Sequence, residues 1–302
     1  MCSRAIYPAR AAKGWLPWGL LVPFLGLAFV AATVGGCVAG LQHAHLVDAQ
    51  ENPIGLTGFM AFLLLPFGAL GLVVLAWVRF VERRPLASIG LAAGHPLHTF
   101  LGGLLAGIAM AVIIVAGIWS VGGFDAGAFA EAFSSRTALG SIAILLTGFS
   151  LQSSVEELLF RGWMLSAVAH KIGIGAAVLL TSATFTLFHH EDSSSWLFAT
   201  NVALFALFAC CWAISTGNIW GVMGWHAAWN WLFATGFELR VTGLDTHLPA
   251  FLVRLVPHGP DYLTGGALGP EGSFMCSLVL LGGMGFFALR TRREGHKTKE
   301  SG

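Results

Sequence analysis

Long apolar runs alternate with short polar stretches along almost the whole chain. A membrane-crossing helix needs about 20 predominantly apolar residues, and eight runs meet or approach that length. They lie at 15–41, 56–78, 99–121, 138–168, 172–190, 196–216, 218–237 and 272–290. The fourth run is too long for one straight crossing, so we expect it to tilt or to continue past the bilayer surface. The pattern predicts an all-α fold, a polytopic transmembrane helical bundle of about eight spans.

The composition of the chain favours the same class of protein. Of its 302 residues, 56% are hydrophobic and 10% are charged, whereas a soluble domain averages about 25% charged residues. The net charge of +1, without a long basic run, argues against nucleic acid as a partner. No internal repeat or low-complexity segment divides the sequence. Residues 1–302 are therefore predicted to form a single membrane domain, with membrane lipid as a partner.

The placement of lysine and arginine predicts the orientation of the bundle. With an even number of spans, both termini lie on one side of the membrane, and that side holds twelve Lys and Arg residues. The opposite side holds three, Arg136, Arg240 and Arg254, when the intramembrane Arg161 is set aside. Because cytoplasmic loops carry the excess of positive charge, both termini are predicted to be cytoplasmic.

Residues 238–271 form a long connection on the outer side, punctuated by Gly and Pro. A stretch near 249–256 is amphipathic and is expected to lie in the membrane interface. Such a connection either covers a site from the outer side or is surface filler.

The fourth span carries two adjacent carboxylates, which are costly at membrane depth. Glu157 and Arg161 are four residues apart, so they share a helix face and can pair. The neighbouring Glu156 lies about 100° round the helix from Glu157. The pairing therefore leaves Glu156 available for chemistry.

Two other spans carry polar residues at the same helical spacing. They are Phe185 with His189 on the fifth span, and His226 with Asn230 on the seventh. Glu156 and His189 both lie about 22–27 Å from the turn that joins their spans, at about 1.5 Å per residue. An antiparallel hairpin brings them level. His226 lies only about 14 Å beyond the preceding turn, so helix tilt is needed to bring it to the same depth.

These residue types suit hydrolysis of a peptide bond or a related acyl group within the membrane. Glu156 is a candidate general base for water, and His189 can share that water or carry a proton. His226 and Asn230 can donate hydrogen bonds to a developing oxyanion, and Arg161 fixes the second carboxylate. The sequence has no HExxH zinc helix.

The three motifs, in chain order on separate spans, are Glu156-Glu157-xxx-Arg161, Phe185-xxx-His189 and His226-xxx-Asn230. Together they resemble the CPBP family of intramembrane proteases, also called the type II CAAX prenyl endopeptidase (Abi) family. The resemblance covers residues 150–240 closely. It implies a helical membrane endopeptidase that cleaves near a membrane-embedded or lipidated tail of a substrate protein. The expected location is the inner (plasma) membrane of a bacterium.

The resemblance also implies roles for single residues in a catalytic core over residues 138–237. Glu156 would activate water together with His189. The remaining members would support the carboxylates or lie near the oxyanion, and they are Glu157, Arg161, His226 and Asn230. Members of the family have been described both as metalloproteases and as glutamate proteases without a metal. A divalent metal such as zinc, held by Glu156, His189 and His226 as an open three-ligand site, therefore stays an open alternative.

Two other functions use the same residues. A catalytically inert relative would act as a membrane binding or immunity protein, but it would be free to lose motif residues that are all present here. A proton-coupled carrier would use the carboxylates and histidines as a relay, but such carriers are typically built from paired repeats. Purely structural roles, as an ion-pair cluster or as interhelical hydrogen bonds, are the remaining alternative. The sequence favours the protease.

Overall fold

The computed structural model describes residues 6–7, 12–189 and 195–300. Within these residues, the principal helices are α1 Val22–His43, α2 Gly55–Val81, α3 Pro96–Ser120, α4 Arg136–Ile172, α5 Ile174–Phe188, α6 Trp196–Thr216, α7 Trp220–Trp231 and α8 Phe274–Glu300. Shorter helical turns lie at Leu86–Ile89, Glu131–Ser134, Leu232–Gly236, Asp261–Thr264, Gly266–Leu268 and Pro270–Gly272. Each principal helix falls on one of the predicted apolar runs. The prediction of an all-α membrane helical bundle is confirmed.

Five of these helices, α1 to α4 and α6, are long and apolar enough to cross a membrane. Helix α5 and the apolar part of α8, Phe274–Arg290, are shorter apolar helices. The count of eight crossings and the orientation therefore stay predictions. Arg4 and Arg10, which enter the charge count, and residue 190, which ends the fifth predicted span, lie outside the described residues.

The first and fourth predicted spans differ in outline from the helices that form. Helix α1 begins at Val22, not at residue 15, because Pro23 is favourable only in a first helical turn. The backbone N–H groups of Gly14 and Trp15 instead donate to carbonyl oxygens at the C-terminal end of α2, at 3.0 and 3.1 Å. Helix α4 is continuous over 37 residues, which accounts for the length of the fourth apolar run.

Helix α7 is the centre of the bundle, and its residues 221–230 are all buried. It packs against α3, α4 and α6. A Cβ atom on Gly103 would lie 1.9 Å from a main-chain oxygen of α7, and one on Gly107 would lie 2.3 Å from another. Small residues allow helix backbones to approach this closely. The crossing of α3 and α7 fixes the positions of His226 and Asn230 inside the bundle.

The connections between α3 and α4 and between α7 and α8 pair as a small antiparallel sheet. Strand β1 is Phe124–Phe129 and strand β2 is Val253–Pro257. The sequence did not indicate strands here, although the amphipathic stretch near 249–256 overlaps β2. Its alternation is that of a strand, with Val253 and Leu255 buried and the intervening residue exposed.

Candidate active site

The two adjacent glutamates of α4 lie directly before a change in its helical winding. Residues Arg136–Glu157 are α-helical, and Leu158–Met164 form a π-helical turn. Such turns inside α-helices occur frequently at functional sites. The Tyr7 phenol donates a hydrogen bond to the main-chain oxygen of Arg161 in this turn, at 2.6 Å. Burial raises the pKa of the Tyr7 phenol well above its usual value, so the hydroxyl keeps the hydrogen that it donates.

Glu157 is fully buried and accepts hydrogen bonds from two other motif residues. Its Oε1 atom accepts from Nη1 of Arg161 at 3.1 Å and from Nδ1 of His226 at 2.9 Å. The predicted Glu157–Arg161 pair is present, and His226 reaches the same depth. Because a carboxylate oxygen only accepts, Nδ1 of His226 carries a hydrogen. The Glu157 carboxylate therefore fixes the orientation of the His226 ring.

Aromatic rings surround the rest of the Arg161 guanidinium. Its Nε and Nη2 atoms have no hydrogen-bond partner among the described residues, but its Cζ lies 4.4 Å from the centre of the Phe185 ring. That distance permits a cation–π interaction. The Phe185 ring also stacks on His189, with ring centroids 4.3 Å apart. Nδ1 of His189 lies 2.9 Å from the main-chain oxygen of Phe185. The Phe185-xxx-His189 motif therefore links the Arg161 charge to the position of His189.

The two carboxylate oxygens of Glu156 have different surroundings. Oε1 accepts a hydrogen bond from Nε2 of Gln152 at 2.7 Å. Oε2 is buried and has no hydrogen-bond partner among the described residues. It lies 3.9 Å from Nε2 of His226, which is beyond direct hydrogen-bonding distance. A buried carboxylate oxygen without a partner is costly, and its place beside a histidine nitrogen is suited to holding a water molecule.

Asn230 is connected to Glu156 through Gln152. The Asn230 Nδ2 atom donates to Oε1 of Gln152 at 3.2 Å and makes a longer contact of 3.5 Å with Oγ of Ser153. The Ser153 hydroxyl also donates to Oε1 of Gln152, at 3.1 Å. The structure thus joins the α4 and α7 motifs in a second way, besides the bond between Glu157 and His226.

Two adjoining cavities, of about 60 and about 140 Å³, meet beside Glu156. A water molecule needs about 10–15 Å³ measured in this way, so both cavities have room for water. The residues that line both are Gln152, Glu156, His189, Asn230 and Thr242. His189 therefore faces the same space as Glu156, as the sequence led us to expect.

The two cavities differ in chemical character. The smaller one includes the polar side chains of Asn201, His226 and Glu271 among its walls. The larger one lies against α2 and is lined mainly by Phe and Leu side chains, among them Phe59, Phe62, Leu63, Phe67, Phe149 and Leu244. Glu156 lies at the boundary between a mixed polar compartment and an apolar one.

The connection between α7 and α8 forms part of the walls of both cavities. Glu271 accepts hydrogen bonds from Nε1 of Trp229 at 2.9 Å and from the backbone N–H of Thr242 at 2.8 Å. The Asn201 side-chain amide donates to the main-chain oxygens of Glu271 and Ser273, at 2.7 and 2.8 Å. These bonds hold the connection against α6 and α7, where it forms one wall of the two cavities.

Gln152 and Glu271 were not singled out from the sequence. Gln152 stands four residues before Glu156, so the rule that identified the Glu157–Arg161 pair could also have identified it. Glu271 lies in a loop rich in Gly and Pro, where no periodicity relates it to the helices. Only the folded chain brings it to the cavity.

The positions of Glu156, His189 and His226 bear on the open alternative of a metal site. Among residues 6–7, 12–189 and 195–300, no group of three or more His, Cys, Asp and Glu side chains is arranged to hold a metal ion. Glu156, His189 and His226 do not form such a group. In this arrangement the residues do not fit a metal, and the chemistry proposed below uses the protein's own groups.

Comparison with known protein families links the central part of the chain to a described family. Residues 137–232 match the family model described as type II CAAX prenyl endopeptidase Rce1-like. No curated protein and no solved structure matches the chain significantly. The matched segment runs from the start of α4 to the end of α7 and contains all three motifs. It confirms the resemblance drawn from those motifs: over residues 137–232 the chain is similar to the type II CAAX prenyl endopeptidase Rce1-like family.

Proposed function

We propose that this protein is an intramembrane endopeptidase that hydrolyses a peptide bond near a membrane-embedded or lipidated tail of a substrate protein. The match to the Rce1-like family model supports a protease of the CAAX type. The observation that carries the mechanism is the partnerless Oε2 atom of Glu156, buried 3.9 Å from Nε2 of His226 where two cavities meet.

In this mechanism Glu156 is the general base. A water molecule bound at Oε2, and shared with His189 across the cavity, gives a proton to the carboxylate as its oxygen attacks the substrate carbonyl carbon. The carbonyl π electrons move onto the oxygen and form a tetrahedral oxyanion. The protonated Glu156 then returns the proton to the amide nitrogen as the C–N bond breaks. One water molecule is consumed for each peptide bond.

The oxyanion is stabilised from the α7 side of the cavity. As an imidazolium, His226 donates Nδ1–H to Glu157 and Nε2–H to the oxyanion, and the oxyanion balances the imidazolium charge. The long 3.5 Å contact between Asn230 and Ser153 is weak. That N–H group of Asn230 can therefore turn toward the same oxyanion. Arg161 in turn balances the charge of Glu157.

The apolar cavity supports a substrate of low polarity. Its walls come largely from α2 and α4, which are both long and apolar enough to span a membrane. Burial of apolar surface there would contribute about 25 cal/mol per Å². A residue of a membrane-embedded or lipidated tail is a suitable occupant next to the scissile bond.

We also propose that the protein lies in a bacterial inner membrane with both termini cytoplasmic, on the strength of its Lys and Arg asymmetry. Single cysteines introduced at Gly94 and Gly127, in connections on opposite sides of the predicted bundle, test this orientation. An impermeant thiol reagent added outside spheroplasts should label only the second. Labelling of Gly94→Cys alone would reverse the orientation.

Cleavage by purified protein in detergent or liposomes tests the proposed activity. A library of membrane-tail peptides is incubated with the wild type, with Glu156→Gln and with Glu131→Gln as a matched control. Glu131 is an exposed carboxylate on the connection before α4. We expect cleavage by the wild type and by Glu131→Gln, and none by Glu156→Gln. Equal cleavage by all three would contradict the assignment of Glu156.

The same assay with a strong chelator distinguishes the two chemistries described for the family. Cleavage unchanged by chelator supports water activation by Glu156 and His189 without a metal. Cleavage that chelator abolishes and zinc restores would instead make Glu156, His189 and His226 metal ligands. If the wild type cleaves nothing, the protease proposal fails. Protection in cells that survives Glu156→Gln would then indicate an immunity protein, and proton flux in liposomes would indicate a carrier.

A further inference from the structure

Gln152 lies one helical turn before Glu156 on α4, between the Glu156 carboxylate and Asn230 of α7. Its side chain is 8% exposed and contributes to the walls of both cavities. Its amide nitrogen donates to Oε1 of Glu156 at 2.7 Å, and its amide oxygen accepts from Nδ2 of Asn230 at 3.2 Å. One side chain thus contacts the proposed base and a proposed oxyanion donor at the same time.

The charge of Glu156 dictates the orientation of both amides. A carboxylate only accepts hydrogen bonds, so Gln152 must present its NH₂ group to Glu156. The amide oxygen of Gln152 then faces Asn230. An amide oxygen also only accepts, and Asn230 must in turn present its NH₂ group. The two amides therefore cannot flip independently while Glu156 is ionised.

We propose that Gln152 is a positioning residue for the hydrolytic reaction, and this inference rests on the proposed function. It holds the Glu156 carboxylate with Oε2 directed at the water site. By accepting one N–H group of Asn230, it also orients the amide so that the second N–H group is available to the oxyanion. The bond to Glu156 is the stronger restraint, since hydrogen bonds to charged groups are shorter and stronger than neutral ones. Oε2 has no such restraint of its own among the described residues.

A purely structural role for Gln152 predicts different behaviour. An i, i+4 hydrogen bond within α4 would contribute to folding alone, and its loss would lower stability without changing the turnover of the folded enzyme. A positioning residue acts on the reaction step. Its loss lowers kcat and leaves KM nearly unchanged, because the substrate still binds in an intact cavity.

The test replaces Gln152 by methionine, which keeps the length of the side chain and removes both amide groups. We expect kcat to fall about 10- to 100-fold, the range that a hydrogen bond to a charged group implies, with KM within about threefold of the wild type. Gln42→Met is the matched control, because Gln42 only donates to a loop carbonyl, that of Asp48. It should retain the wild-type kcat. Gln152→Asn keeps the amide but is too short for the 2.7 Å contact, and it should lose activity as well.

A double-mutant cycle that combines Gln152→Met with Asn230→Ala tests whether Gln152 acts on the reaction through Asn230 or independently of it. If Gln152 acts partly through Asn230, the two losses in kcat do not multiply. The same cycle applied to unfolding in detergent should also be non-additive, and that readout does not need an active enzyme. Wild-type cleavage together with an unchanged kcat in Gln152→Met, or losses that multiply in the cycle, would overturn the inference. The proposed function would still stand on Glu156→Gln.

Discussion

Glu156 and Glu157 are neighbours of the same residue type, and the structure predicts opposite consequences for the same substitution at each. Glu157 accepts from both Arg161 and His226 while fully buried. Glu156 has one oxygen bonded to Gln152 and one with no partner among the described residues. Replacing each by glutamine keeps the side-chain volume, removes the negative charge and exchanges one acceptor oxygen for an NH₂ donor. Glu157→Gln should therefore lower the free energy of unfolding. Glu156→Gln should abolish cleavage and leave the free energy of unfolding nearly unchanged.

The magnitudes follow from the surroundings of each carboxylate. Glu157→Gln leaves Arg161 buried without an opposing charge, and breaking a buried pair in this way costs about 3–5 kcal/mol. A glutamine oxygen keeps one neutral acceptor, which places the expected loss near the lower end, at about 3 kcal/mol. Glu156→Gln loses no hydrogen bond at Oε2 and keeps an acceptor oxygen for the Gln152 amide. Its free energy of unfolding should stay within about 1 kcal/mol of the wild type.

Reversible unfolding in mixed micelles, followed through the fluorescence of the protein's 11 tryptophans, measures both effects. The double variant Glu157→Gln with Arg161→Met provides a further check. Replacing a whole buried ion pair by neutral groups is often neutral or stabilising, so the double variant should recover much of the lost stability. What it does not recover is the charged hydrogen bond to His226.

Two results would refute this reasoning. Equal losses of stability in Glu156→Gln and Glu157→Gln would show that the two carboxylates are not differently satisfied. A double variant as unstable as the sum of its single variants would show that Glu157 does not compensate the Arg161 charge. Cleavage by Glu156→Gln at the wild-type rate would separately remove that residue from the reaction.

Three smaller predictions concern the surroundings of the site. Phe185→Leu removes the ring between the Arg161 guanidinium and His189, so kcat should fall about tenfold. An unchanged kcat would show that the ring stack does not position His189. Gly107→Val should prevent folding because its Cβ would lie 2.3 Å from a main-chain oxygen of α7. Gly102→Ala, with open space at its Cβ, should fold normally. Equal yields of both folded variants in detergent would contradict this packing. Tyr7→Phe removes a buried hydrogen bond to the main chain of the π-helical turn and should lower the free energy of unfolding by about 1 kcal/mol, so an unchanged unfolding transition would contradict that role.

The contacts that the sequence predicted well are those set by helical spacing. The pairing of Glu157 with Arg161 follows from their separation of four residues, and it is present at 3.1 Å. The equal depth of Glu156 and His189 follows from their distances to a common turn, and both line the same cavities. Local periodicity and rise per residue determine these relations before any tertiary contact forms.

The contacts that the sequence did not predict depend on how the helices cross. The bond between Glu157 and His226 requires the close approach of α3 and α7 at Gly103 and Gly107 to set the depth of α7. Glu271 reaches the cavity through a loop whose course no apolar period encodes. The sheet of β1 and β2 pairs segments that are far apart in the chain, and pairing of that kind has no local signal.

The adjacent carboxylates divide two tasks that a single side chain would perform poorly. Glu157 is a good structural anchor but a poor base, because its Oε1 atom is occupied by Arg161 and His226 and its side chain lines neither of the two cavities. A carboxylate with a free oxygen, such as Glu156, is available to water but adds little to stability. The hydrogen bond from Gln152 to Oε1 of Glu156 keeps the Oε2 atom at the junction of the two cavities. A buried acceptor left without a partner where two cavities meet is the pattern expected where stability has been exchanged for chemistry.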